Sequence, residues 1–161
     1  MDFYVIIPGH NEEKNIVHVI DKAKKFADAK KIIVVDDGSL DGTADAARRR
    51  GATVLRHIIN LGKGAALRTG SQYSLSKGAE ALVFMDSDGQ HDPEDLPKLF
   101  EALKGNDVVF TFRERGSENM PLVKKFGNTF IDALMRLLFS INVKDTQCGY
   151  KAMRKEAYEK M

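Results

Sequence analysis

A chain of 161 residues with 43% hydrophobic and 30% charged content is long enough to enclose a core and has the balance of a soluble globular domain. A net charge of +2 is too small for a nucleic-acid footprint, and the single cysteine, Cys148, excludes an intrachain disulfide and a cysteine-based zinc site and fits a reducing compartment. The opening Met1-Asp2-Phe3 lacks a basic region, so no signal peptide is expected, and no run nears the ~20 apolar residues of a membrane-spanning helix.

Residues 3–7 read as a buried strand closed by Pro8-Gly9. His10-Asn11-Glu12-Glu13 follows, with acids suited to a helix N-terminus, and the helix is expected to run to about residue 27. Residues 31–35 form a second expected strand, ending in Asp36-Asp37-Gly38-Ser39-Leu40-Asp41-Gly42-Thr43 before a helix over 44–50. A third strand is expected over 53–57, then the loop Asn60-Leu61-Gly62-Lys63-Gly64 and a helix to about 76. The fourth strand is 81–85, the next helix 93–104 with Asp92 as N-cap and Pro93 at its first position, and the fifth strand 107–112. Strand and helix alternate, which predicts an α/β domain with a mostly parallel sheet.

The fourth strand ends in Asp86-Ser87-Asp88. Alternate residues of a strand point the same way, so the two carboxylates would aim at one point, where a hard cation such as Mg²⁺ or Mn²⁺ relieves their repulsion and the Gln90 carbonyl adds a ligand. The plain alternative is a turn built from Asp, Ser and Gly. Ligands of such sheets bind beyond the carboxyl ends of the strands. At those ends stand His10 and Glu12, Asp36 and Asp37, Asp86 and Asp88, and Arg113 and Arg115. Each has a plain reading as a helix-dipole acid, turn residue or solvated arginine, but scattered surface charge has no reason to collect at one rim. Gly62-Lys63-Gly64 fits neither a Walker loop nor a dinucleotide fingerprint; a lysine at a helix N-terminus can still meet a phosphate, and a tight loop with an exposed lysine is the alternative. Residues 121–139 read as a very apolar helix, either a core helix or one with a face on lipid.

Five motifs in order resemble the family 2 (GT-A) glycosyltransferases. Ile7-Pro8-Gly9-His10-Asn11-Glu12 resembles the family's I-P-x-Y-N-E, and Val34 to Thr43 its V-V-D-D-G-S-x-D-G-T. Asn60 to Arg68 is similar to N-x-G-K-G-x-A-x-R. Asp86 to His91 resembles D-x-D-x-Q-H, and Asp145 to Lys151 resembles D-T-Q-C-G-F-K, of the branch that glycosylates dolichyl and polyprenyl phosphates. The likeness covers nearly the whole chain and implies one GT-A catalytic domain over 1–161 with a mostly parallel Rossmann-like sheet. Family members usually continue past this point, so C-terminal truncation is expected.

The resemblance implies a UDP- or GDP-linked hexose donor, Mg²⁺ or Mn²⁺, and inverting transfer to a polyprenyl phosphate. Pro8, His10 and Glu12 would line the nucleotide pocket, and Val34, Asp36 and Asp37 would contact base and ribose, with Lys63 and Ser87 in the same pocket. Asp86, Asp88 and Gln90 would sit at the metal and diphosphate; Asp86, Asp88 and Arg113 would carry catalysis, and Arg113 and Lys124 would hold the acceptor phosphate. His10 replaces the usual Tyr, and Lys124 stands where relatives can have Arg, which keeps the charge but loses the bidentate fork. A phosphate acceptor needs no general base, and Asp145 is the nearest candidate for one. The expected location is cytoplasmic, peripheral at the membrane's cytoplasmic face, with no nucleic-acid partner. The alternatives are a hydroxyl acceptor (polysaccharide or glycolipid) and a non-catalytic nucleotide-sugar-binding fragment. A receiver domain fits poorly because its acidic pair follows strand one. A sugar nucleotidyltransferase would want a glycine-rich basic signature there, which Pro8 to Glu13 lacks.

Overall fold

The structure is a computed structural model that describes residues 1–89, 93–111 and 150–160. The chain divides into two compact units, residues 1–109 with 149–161, and residues 110–148. The expectations placed on Gln90, His91, Asp92, Arg113, Arg115, Lys124, Asp145, Cys148 and the helix 121–139 lie outside the described residues.

β1 (Phe3–Gly9), β2 (Ile32–Asp37) and β4 (Ala81–Phe84) are almost wholly buried. Continuous apolar runs of this kind are what a parallel sheet needs when both faces are covered. β1 pairs in parallel with β2 on one side and β4 on the other, and β2 pairs in parallel with β3 (Thr53–His57). The six-stranded order is β3-β2-β1-β4-β6-β5, where β5 is Val108–Phe110 and β6 is Lys151–Arg154. The chain thus moves outward from β1 to β3, then returns to the other side of β1. Such a switch point opens a crevice between the carboxyl ends of β1 and β4.

β6 has no counterpart among the strands expected from the residue pattern. It runs antiparallel to β4, with Leu82 opposite Met153 and Phe84 opposite Lys151. Lys, Ala, Met and Arg are good helix formers and none is β-branched, so no local signal marks a strand; pairing with β4 imposes it. Arg154 closes this side of the sheet by donating from Nε and Nη2 to the Leu103 carbonyl at 3.1 and 2.8 Å, and from Nη2 to the Lys104 carbonyl at 3.0 Å. Those carbonyls belong to the end of α4 (Leu96–Leu103), where a cation suits the helix dipole.

α1 (Glu13–Ala23) buries Ile16, Val19, Ile20 and Ala23, an i, i+3, i+4, i+7 stripe, and packs against α2 (Thr43–Arg49). α1 ends four residues before the expected boundary. α4 is also later than expected, because Pro93–Asp95 forms a separate 3-10 turn and Asp95 takes the N-cap position. α3 (Lys63–Ser76) ends where expected but starts two residues early, inside the expected loop, and lies against β1 and β2. Its buried residues are small, Ala66, Gly70, Ser71 and Ser74, so the helix backbone comes close to the sheet. A Cβ on Gly70 would lie only 2.6 Å from Ile6 Cγ2. Ser71 and Ser74 satisfy their hydroxyls by donating to the Leu67 and Gly70 carbonyls, both at 2.8 Å. This close approach holds the start of α3, and with it Lys63, over the strand ends. A short α5 (Lys155–Glu159) follows β6. Among the described residues no helix is long and apolar enough to cross a membrane.

Candidate active site

The switch-point crevice is a cleft of about 360 Å³. It is lined by Pro8 and Gly9 at the end of β1, His10 and Glu12 after it, Asp37 at the end of β2, Asn60, Gly62 and Lys63 after β3, and Asp86, Ser87 and Asp88 after β4. Parallel pairing puts the ends of β1 to β4 on one edge, which is why residues far apart in sequence meet there. Eight of the expected site residues therefore converge: Pro8, His10, Glu12, Asp37, Lys63, Asp86, Ser87 and Asp88.

The loop after β1 is stitched to the loop after β2. Asn11, in the left-handed region at φ 57°, donates its N–H to Ser39 Oγ at 2.9 Å and accepts from the Leu40 N–H on its Oδ1 at 2.9 Å. Glu12 N–H donates to Thr43 Oγ1 at 2.8 Å. Glu13 N–H donates to Asp41 Oδ2 at 3.2 Å, and the Gly42 N–H returns a bond to Glu13 Oε2 at 3.1 Å. His10 Nδ1 donates to the Asp37 carbonyl at 2.8 Å, while its Nε2 accepts from Asn11 Nδ2 at 3.2 Å. That pair of bonds selects the Nδ1–H tautomer and fixes the ring at the cleft wall.

The two adjacent aspartates have separate duties, because neighbouring strand residues face opposite ways. Asp36 is fully buried; its Oδ1 accepts from the Ser39 N–H at 3.0 Å and its Oδ2 faces Arg56 Nε at 3.1 Å as an ion pair. Asp37 is 3% exposed and holds the loop after β3. Its Oδ1 accepts from the Leu61 N–H at 2.9 Å and from His57 Nδ1 at 2.7 Å, and its Oδ2 accepts from the Gly62 N–H at 2.8 Å. His57 Nε2 meets Thr69 Oγ1 of α3 at 3.0 Å, and Asn60 Oδ1 also accepts from the Gly62 N–H at 2.9 Å. Val34 and Asp36 are buried and do not line the cleft. His57 carried no signal in the sequence, since a histidine at a strand end fits no pattern. Asn60 and Gly62 stood in a quoted motif without a role.

Burial pushes the Asp37 carboxyl pKa up, but the bonds from Leu61, His57 and Gly62 together outweigh it and hold the group below its usual 3.8. Because the folded value is depressed, the unfolded chain binds more protons on the acid side. The resulting stability is fully present above about pH 3.8 and is lost as pH falls through the folded value. The stability difference between the parent protein and Asp37→Asn is therefore expected to shrink below that pH. Urea unfolding at a series of acid pH values checks this, and a difference that stays constant contradicts it.

β4 ends at Phe84, so Asp86 and Asp88 do not project from a strand as the i, i+2 reading requires. The chain leaves the sheet once the Met85 N–H has bonded to the Ile6 carbonyl at 3.0 Å, and it turns through Ser87 and Asp88 to Gly89. The turn still delivers both carboxylates to the cleft. Lys63 Nζ lies 2.5 Å from Asp86 Oδ1. Two carboxylates on one cleft offer the oxygen donors that Mg²⁺ or Mn²⁺ prefers, so these residues fit such an ion. Among the described residues no group of three or more His, Cys, Asp or Glu side chains is placed to hold one metal ion.

A mostly parallel sheet with acids and a lysine gathered at its switch point is the architecture of the GT-A glycosyltransferases. The crystal structure of glucosyl-3-phosphoglycerate synthase from Mycobacterium tuberculosis, in complex with Mn²⁺, UDP-glucose and phosphoglyceric acid, superposes with a TM-score of 0.77 at 26% identity, covering 96% of this chain and 57% of the synthase chain. The chain belongs to Glycosyl transferase family 2, whose profile matches residues 4–161, and it is a glycosyltransferase domain. It is 33% identical to the undecaprenyl-phosphate mannosyltransferase of Micrococcus luteus, over 96% of this chain and 67% of that protein. It is 31% identical to the UDP-N-acetylglucosamine–dolichyl-phosphate N-acetylglucosaminyltransferase of Methanococcus voltae, over 96% of this chain and 70% of that protein. These relatives agree with the expected polyprenyl-phosphate branch.

Proposed function

We propose that this domain transfers a hexose, with inversion, from a UDP- or GDP-linked donor to a polyprenyl phosphate, and that it needs Mg²⁺ or Mn²⁺. The observation that carries the reading is the single cleft joining Pro8, His10 and Glu12 to Asp86, Ser87 and Asp88. The names of the two polyprenyl-phosphate relatives support the acceptor class, and the Mn²⁺–UDP-glucose complex of the synthase supports the donor and metal classes.

In this reading the base and ribose lie against Pro8, His10 and Glu12. Asp37 acts mainly by holding the Leu61–Gly62 main chain, which fixes the root of Lys63 beside the diphosphate. Asp86 and Asp88 hold the divalent ion, with Gln90 as a further ligand. When bound, the ion neutralises charge building on the leaving nucleotide. Lys63 adds a positive charge at the same end of the donor. The acceptor is a phosphate already ionised near neutral pH, so orientation replaces proton abstraction, and Arg113 and Lys124 are assigned that role. Peripheral contact with the cytoplasmic membrane surface follows from a lipid-linked acceptor.

Calorimetric titration of UDP, GDP, UDP-glucose and GDP-mannose, first with Mn²⁺ and then with EDTA, tests this. Binding of one nucleotide class that disappears with EDTA is the expected result. Transfer of the matching sugar to a short polyprenyl phosphate should follow. Absence of binding by all four to a folded sample refutes the reading.

A further inference from the structure

We propose that Lys63 is the resting counter-ion of Asp86 and changes partner when the donor arrives, so that nucleotide diphosphate and divalent cation bind cooperatively. The inference rests on the proposed function and adds a coupling device to that site. Its first basis is the 2.5 Å ion pair, which puts an ammonium where the divalent cation needs a carboxylate. The second is how Lys63 is mounted. Its root is rigid: it begins α3, and the Leu61 and Gly62 N–H groups just before it are held by Asp37, itself braced by His57. Its head is free to move, because the side chain is 52% exposed on a flexible four-carbon stem, against 17% for Asp86. The third is charge. Among the described lining residues, Glu12, Asp37, Asp86 and Asp88 are acids and Lys63 is the cation with a fixed charge.

An ammonium and a divalent cation repel each other, so they do not share Asp86 at short range. A cation arriving alone must displace Lys63, and the ammonium then gives up its Asp86 partner with no new anion supplied. A cation arriving with a diphosphate brings a new anion within reach of the same stem. Each ligand therefore lowers the cost of the other's binding, and linkage requires the two enhancements to be equal.

The test is calorimetry on the parent, Lys63→Met and Lys63→Arg, with melting curves to verify folding. Mn²⁺ is titrated alone and then with saturating UDP or GDP, and the nucleotide is titrated with and without Mn²⁺. Lys63→Met should bind Mn²⁺ alone about 1.5- to fivefold more tightly, the range expected for removing a partly exposed competing ion pair. The factor by which nucleotide tightens Mn²⁺ should fall by about the same amount, and equally in the mirrored titration. Lys63→Arg should stay near the parent for Mn²⁺ alone. If Lys63→Met does not fold, Lys63→Gln carries the same expectation. Equal Mn²⁺ affinity in parent and uncharged variant, with nucleotide binding intact, overturns the partner exchange and leaves the proposed function standing. A parent that binds no nucleotide diphosphate even with Mn²⁺ overturns both.

Discussion

Asp88→Ala is expected to lower sugar transfer about a thousandfold or more while leaving the melting temperature unchanged. The side chain stands exposed in the turn after β4 and lines the cleft, so its loss opens no cavity in the core. Surface changes of this kind usually stay within about 0.5 kcal/mol of the parent. Under the proposed function the effect on rate is different in kind, because a carboxylate that would hold the diphosphate's cation acts where charge develops. Transfer assays with verified metal dependence, alongside thermal unfolding, separate the two. Near-normal rates in a metal-dependent variant would remove Asp88 from the metal site.

Gly38→Ala is the substitution expected to damage stability most, by about 3 kcal/mol. Gly38 has φ +69°, and a Cβ there would lie 2.5 Å from the Ile59 carbonyl carbon and 2.6 Å from the Asn60 nitrogen. Both are main-chain atoms, so no side-chain rotation relieves the overlap. Gly78 has φ +89° and open space around it, so Gly78→Ala isolates the conformational part, about 1 kcal/mol. Urea unfolding of both variants measures the difference. Equal losses in the two would show that the chain before Asn60 moves aside freely. Because Gly38 follows Asp37 and abuts the loop that Asp37 holds, the damage should reach nucleotide affinity as well.

Much of this fold is legible in the residue pattern. The apolar runs of β1, β2 and β4 mark buried parallel strands, and α3 ends at Ser76 as expected although it takes up Lys63 and Gly64 from the expected loop. Turn and cap chemistry is less legible. The expected start of α4 at Pro93 gives way to a 3-10 turn, and the strand geometry assumed for Asp86 and Asp88 gives way to a loop. β6 leaves no trace, since its pairing with β4 joins segments about 70 residues apart and opposes local preference.

Residue types and their order alone identify the family, the polar residues at the strand ends and the chemistry those residues can perform. Strand order and register add what no local pattern encodes. Setting β4 beside β1 opens the crevice between them, and pairing Asp37 with His57 in register brings both to one loop. The close seat of α3, permitted by Gly70 and its small neighbours, then places Lys63 on Asp86. These contacts join groups 20 or more residues apart, so their partners are decided by which backbones lie side by side. Sequence supplied the donors and acceptors; the sheet's geometry assigned them to one another.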